Sequence, residues 1–306
     1  MKKLVLKLLI LAIVVGAFLG ALEYLSLNPG TRELTARLTN SEDFLTQGSG
    51  SEEIIPVIRS AKEADGKRVL IIGDSIARQM FSELLGGDPD VKVACANAAV
   101  TITGQYMIAM EYLDAHPEAT DVWLFAHPLT MTRTYDLDLG YGYAVMPFAM
   151  EGSLKYLEDV TLDQMASVYG RFSLNGRFAS LVDESPLNRK LFLSHIRMHN
   201  SEYAQKGAYE IASLYVLKLK EACEKRGVTF HFYSSPSTEY YRDKIEETRS
   251  DYMSCPLYEV YPDYLDSVYF FPTEWSDDYT HFGAEYANGE VYRSVIKNAY
   301  GVQFGL

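Results

Sequence analysis

The chain has 306 residues, 48% of them hydrophobic, enough to bury a real core and too apolar for disorder to be its main state. Lys and Arg sum to 28 against 41 Asp and Glu, and the resulting net charge of −13 has the wrong sign for attraction to nucleic-acid phosphates or anionic lipid, so no nucleic-acid partner is expected. Cys95, Cys223 and Cys255 lie far apart with no C-x-x-C pair, which excludes a zinc cluster and a disulfide-dense scaffold. They read as small buried hydrophobes, with one Cys223–Cys255 bridge open to an exported chain.

Met1-Lys2-Lys3 leads into an apolar stretch, Leu4 to Leu22, interrupted only by Lys7, which is close enough to the end to snorkel. A signal-peptidase site is poor here, because Leu19-Gly20-Ala21 puts a bulky leucine at −3, so residues 1–27 read as an uncleaved anchor. Lys2, Lys3 and Lys7 precede the span and Glu23 and Glu33 follow it, which leaves the amino end in the cytoplasm and exports the rest. Residues 28–66, with Pro29-Gly30 and Gly48-Ser49-Gly50-Ser51, read as a stalk holding a short helix or two.

The body, 67–306, alternates strand and helix signals. Lys67 to Ile72 is a β-branched run closed by Gly73, and Ile76 to Leu85 has helical spacing. Val91 to Cys95 predicts a second strand, Gly104 to Leu113 a helix, and Asp121 to Ala126 a strand buried on both faces. The amphipathic stretch Tyr209 to Arg226 precedes a fourth strand at Val228 to Tyr233, and a last helix is expected over Gly283 to Tyr300. The fold class is therefore α/β, a doubly wound parallel sheet, with a helical insertion over about 129–225 expected to cover the site.

Two chemical signals stand about 200 residues apart. In Ile72-Gly73-Asp74-Ser75 a strand turns into a helix, which presents the Ser75 hydroxyl at the carboxyl edge of the sheet beside free backbone N–H groups able to receive an oxyanion. A serine hydroxyl is a weak nucleophile at neutral pH and needs an imidazole base, itself oriented by an acceptor. Asp278-Tyr279-Thr280-His281 supplies both from one turn. Asp74, beside the nucleophile, reads as a residue bonding within the turn rather than the partner of the base.

With a G-D-S turn after the first strand and D-x-x-H before the last helix, the chain resembles the SGNH or GDSL-type hydrolases over roughly Lys67 to Tyr300. The resemblance implies a flavodoxin-like sheet, Ser75 as nucleophile, His281 as general base and acid, and Asp278 as its orienting residue. It implies an oxyanion hole made by the Ser75 N–H and a glycine N–H, for which Gly104 in Thr101-Ile102-Thr103-Gly104 is the candidate and Asn97 the alternative. The family's third block, G-x-N-D, is replaced by Ala126-His127-Pro128, so its Asn donor is missing, a loss that typically costs about 2.7–4 kcal/mol in the transition state. An amino-terminal span with this departure resembles the DltD-like, AlgJ-like and AlgX-like proteins. That implies a single-pass protein of the bacterial cell membrane with an extracytoplasmic body. It also implies a multispanning membrane-bound O-acyltransferase as partner, and a surface polysaccharide or other polymer as acceptor of a small acyl group, without a cofactor. An esterase using the same three residues, or an idle polymer-binding scaffold, are the alternatives.

Other residues have two readings each. His127 stands where the missing Asn would be and is either a substitute donor or a strand-end hydrogen bonder. Arg78 either meets an anionic substrate or is a solvated first-turn residue. Tyr135, Tyr141, Tyr143, Phe148 and Tyr156 suit stacking on sugars or filling a helical layer. His195 and His199, at i, i+4 without an acidic companion, read as a solvated helix face and no metal is expected. Gly140-Tyr141-Gly142-Tyr143 reads as a mobile loop rather than a phosphate loop.

Overall fold

The structure, a computed structural model, describes residues 2–27, 31, 34, 37, 50–133, 135, 140–185, 188, 189, 192 and 208–301. His195 and His199 lie outside the described residues. The amino-terminal helix runs Lys2–Leu27, and the most apolar window of its Lys3–Leu25 stretch has mean hydropathy 2.7 and is not buried in the protein. Its 23 residues extend about 35 Å at 1.5 Å per residue, long enough for a hydrocarbon core of about 30 Å.

The body is α/β. Four parallel strands, β1 (Val69–Gly73), β2 (Val91–Val93), β3 (Asp121–Ala126) and β4 (Thr229–Ser234), lie in the order β2-β1-β3-β4. Val69 is in register with both Val91 and Asp121, and Asp121 with Thr229. Alternate side chains serve opposite faces, as the two-residue period of a strand requires. Leu70, Ile72, Val122, Leu124, Ala126 and Phe232 enter one core, which is closed by the helices Gly50–Lys62, Thr101–Ala115 and Ala208–Lys225. Ile71 and Phe125 enter the other, against Phe81 and Met80 of the helix Ser75–Leu85 and Tyr292, Val295 and Ile296 of the helix Gly289–Tyr300. The Thr101–Ala115 helix is buried from Thr101 to Leu113 because it stands between the sheet and the insertion. A small parallel pair, β5 (Ser237–Thr238) and β6 (Phe270–Phe271), lies beyond β4.

Some expectations are corrected and some open alternatives are decided. The stalk gives way to the body earlier than residue 67: Ile54, Ile58 and Ala61 of the Gly50–Lys62 helix are fully buried in the first core. Spaced i, i+4 and i+3, they form one apolar stripe that the preceding Gly-Ser run obscures. The insertion aromatics serve as filling: Tyr135, Tyr141 and Phe148 are buried, Tyr141 donates to the Ser173 carbonyl, and Tyr135 donates to Thr103 Oγ1. Half-buried Tyr156 is held by Asp114 and Glu111. The stretch expected as a mobile loop is a π-helical turn over Tyr141–Val145, with Gly140 packed against Tyr169 and Tyr135. The last helix begins at Gly289, because Asn288 caps it by accepting from the Val291 N–H. Cys95, Cys223 and Cys255 are buried free thiols. The described part of the insertion packs on the Gly50–Lys62 and Thr101–Ala115 helices.

Truncating Ile58 to alanine removes a fully buried branched side chain from this interface and should destabilise the body by about 2–5 kcal/mol. Urea denaturation of the full chain in detergent micelles measures it, and a change under 0.5 kcal/mol would return the helix to the stalk.

Candidate active site

Each residue of the G-D-S turn has a separate physical task. A Cβ at Gly73 would stand 2.6 Å from the Phe125 carbonyl oxygen and 2.7 Å from Ala77 Cβ, so only glycine lets β1 end this close to β3 and the following helix. Asp74 caps that helix, its Oδ1 accepting from the N–H groups of Ile76 (3.0 Å) and Ala77 (3.2 Å). Its Oδ2 accepts from the His127 N–H at 2.7 Å and from Ser235 Oγ at 2.8 Å. One buried carboxylate thus joins the carboxyl ends of β1, β3 and β4. Ser75 is the first helical residue, so its own N–H has no acceptor within the helix and sits at the positive end of the helix dipole.

The D-x-x-H turn meets this serine. His281 Nε2 lies 2.7 Å from Ser75 Oγ, and His281 Nδ1 lies 2.7 Å from Asp278 Oδ2. Asp278 Oδ1 also accepts from the N–H groups of Thr280 (2.9 Å) and His281 (2.7 Å), so the same carboxylate builds the turn and orients the ring. Partial burial raises the Asp278 pKa, but the hydrogen bonds from His281 and Thr280 outweigh it and hold the carboxyl at about 2. An ionised Asp278 accepts the Nδ1 proton, which leaves the Nε2 lone pair for the Ser75 hydroxyl. The ring remains open on one side, with 38% of its side-chain surface exposed.

Two contacts hold the turn from beneath. Gln79, one helical turn after Ser75, donates to the Phe282 carbonyl (2.7 Å) and accepts from the Phe282 N–H (2.9 Å), gripping the backbone beside His281. Thr238 Oγ1 donates to the Tyr279 carbonyl at 2.6 Å. Gln79, Thr238 and Ser235 were not singled out from sequence. For Gln79 a signal existed, since i+4 from Ser75 lies on the same helix face, whereas the other two depend on strand order.

The remaining sequence candidates separate. Gly104 is the fourth residue of its helix, where its N–H closes the first i to i−4 bond, and its missing side chain makes room for Phe148 and Val100. Asn97 is in the loop that touches the turn, where Ala96 N–H donates to the Gly73 carbonyl. Its Oδ1 caps the short Ala98–Val100 turn, which leaves the amide NH2 as donor. That loop ends at Thr101, whose φ of 59° is unusual for a β-branched residue. His127 does not replace the missing Asn. Its N–H is bound to Asp74, its Nδ1 accepts from the Leu129 N–H, and its Nε2 is 2.9 Å from Ser237 Oγ. Burial lowers its pKa to about 4, so it is neutral and its Nε2–H donates to Ser237. Arg78 is a brace, paired with Glu53 on the Gly50–Lys62 helix. Among the described residues no group of three or more His, Cys, Asp and Glu is placed to hold a metal ion.

Chemically, the Asp278–His281–Ser75 chain can deprotonate a serine hydroxyl as it attacks an acyl carbon, with the Ser75 N–H facing the developing oxyanion. Replacing Asp74 by alanine strips buried donors at Ser235 and His127 of their acceptor and should lower stability by about 3 kcal/mol or more, read as a fall in Tm. Gln79→Leu keeps the side-chain volume but frees the turn; it should slow fluorophosphonate labelling of Ser75 by about tenfold through lost alignment. An unchanged labelling rate would remove Gln79 from the site. In comparisons with known proteins, no family model, curated protein or solved structure matches the chain.

Proposed function

We propose that this is a membrane-anchored serine O-acyltransferase of SGNH type, which moves a small acyl group onto a surface polysaccharide or related polymer. The observation that carries the reading is the unbroken hydrogen-bond chain from Asp278 through His281 to Ser75 Oγ, 2.7 Å at each step. The strand order β2-β1-β3-β4, with helices on both faces, supports the doubly wound, flavodoxin-like arrangement that the sequence resemblance implies. The apolar Lys3–Leu25 helix, with Lys2, Lys3 and Lys7 at its start, supports a single-pass anchor with the body outside the bacterial cell membrane.

In the first half-reaction His281 Nε2 takes the Ser75 proton as Oγ attacks the acyl carbonyl of the donor. The tetrahedral oxyanion receives the Ser75 N–H, the donor leaves with the proton from His281, and Ser75 holds the acyl group as an ester. In the second, His281 takes the proton of an acceptor hydroxyl, that oxygen attacks the ester, and Ser75 Oγ departs and is reprotonated. A multispanning membrane-bound O-acyltransferase would present the donor from the membrane side. A second reading, a carbohydrate or lipid esterase, is favoured by the 38% exposure of His281, which lets water serve as acceptor. The aligned triad weighs against an idle scaffold.

Ser75→Ala and His281→Ala should each lower turnover of p-nitrophenyl acetate by about 10³-fold or more, and Asp278→Asn by about 10²-fold or more through the wrong tautomer. Mass spectrometry of an added glycan decides between the two readings. Acyl on the glycan with slow hydrolysis supports transfer, and fast hydrolysis with an unmodified glycan supports the esterase. Fluorophosphonate labelling that persists in Ser75→Ala would overturn both.

A further inference from the structure

The turn that carries the base and the Glu239–Tyr241 turn packed against it each display a tyrosine to solvent. Tyr240 is 58% exposed and Tyr279 54%, and their rings stack 4.6 Å apart at 29°. Tyr241 meets Tyr240 edge-on at 5.0 Å and reaches Thr280 Oγ1 with its hydroxyl at 3.2 Å. The pair is ordered from its backbone. Tyr240 N–H donates to Thr273 Oγ1 at 3.0 Å, and the Tyr279 carbonyl accepts from Thr238. Tyr279 has φ +65°, the left-handed region, which costs a bulky side chain about 1–3 kcal/mol and persists only where the surroundings enforce it. Only Thr280 separates Tyr279 from His281, at most about 7 Å of backbone.

Exposing two aromatic faces beside a reacting histidine is unfavourable unless something covers them. An aromatic face is negative and meets the positive C–H face of a sugar ring, while the phenol hydroxyls reach the ring hydroxyls. An acyl chain would instead call for an enclosed aliphatic pocket. Charge narrows the choice further. Glu274, Asp277 and Asp278 belong to the same segments, and the Arg242 guanidinium nearby is neutralised by both oxygens of Glu239. Such an acidic rim repels a polyanion.

We infer that Tyr240 and Tyr279 form the acceptor subsite, a stacking platform for an uncharged saccharide that brings one of its hydroxyls to His281. This names the substrate class of the acyl-transfer reading and rests on that reading for the reaction, while the binding stands on its own. It also places the sugar contacts away from the insertion aromatics, of which Tyr135, Tyr141 and Phe148 are buried.

The test uses the full chain carrying Ser75→Ala in detergent micelles, titrated calorimetrically with cellotetraose, chitotetraose and isomaltotetraose. At least one should bind. Tyr240→Ala and Tyr279→Ala, each added to Ser75→Ala, should weaken that binding about tenfold, while Tyr240→Phe keeps it within about threefold. Circular dichroism confirms folding, and Tyr240, outside the D-x-x-H turn, guards against mere distortion of that turn. No binding by any tetraose, equal binding by both alanine variants, or binding of poly(glycerol phosphate) alone would overturn the subsite. Wild-type labelling by fluorophosphonate is read separately: labelling without sugar binding removes only the subsite, and sugar binding without labelling removes only the acyl chemistry.

Discussion

The buried Asp74 carboxylate is the constraint on which the site depends. Its four hydrogen bonds come from two N–H groups at the start of the serine helix, the backbone beyond β3 and a hydroxyl beyond β4. A buried carboxylate is tolerable only when its lone pairs are used, and here each oxygen has two donors. Because the donors belong to different strands, the cap of one helix also sets how the strand ends meet. The position of Ser75 is therefore decided by the whole sheet edge rather than by a local turn.

The order of strands explains why that edge can hold chemistry. The chain runs from β1 outward to β2, then returns past β1 to β3, so the connections after β1 and β3 diverge to opposite sides and leave a crevice at their carboxyl ends. Ser75 follows β1, and the loop of Asn97 follows β2. His281 reaches the same edge from the carboxyl-terminal segment, which is anchored through β6 on β5 and through Gln79 on the Phe282 backbone. A contact across 206 residues thus rests on two short supports and the turn's own carboxylate.

The parts of the site legible in sequence were those written in a few adjacent residues. The G-D-S turn and D-x-x-H are visible because a helix start and an aspartate-closed turn are local devices, and β1 and β3 because inner parallel strands read as nearly continuous apolar runs. What escaped was long-range or doubly used. Gly104 is an oxyanion glycine only by what the family resemblance implies, and the helix begins three residues earlier and uses its N–H. His127 reads from sequence as either a substitute donor or a strand-end hydrogen bonder, and only its two engaged ring nitrogens decide for the second. The Gly50–Lys62 helix was masked by its flanking Gly-Ser run although Ile54, Ile58 and Ala61 carried a helical stripe. The insertion tyrosines were ambiguous because a ring that stacks on sugar and one that fills a layer have the same composition; burial alone separates them.

On the proposed reading, the engagement of His127 bears on what kind of acyl donor the protein can use. With its ring bonded to Leu129 and Ser237, His127 adds no donor to the Ser75 N–H for an oxyanion. Fewer donors stabilise the tetrahedral state less, so an unactivated ester is a poor donor and an acyl group already activated elsewhere is a good one. The His281 ring is also open to solvent, so selectivity for a sugar hydroxyl over water cannot come from exclusion by the described residues alone. It has to come from effective concentration: a saccharide held on the tyrosine platform presents its hydroxyl repeatedly at one distance, and orientation of that kind is worth several kcal/mol against randomly approaching water. On the same proposed reading a tether has this logic on the donor side, because anchoring by the 23-residue apolar helix would keep the serine near the membrane from which an acyl group would be delivered.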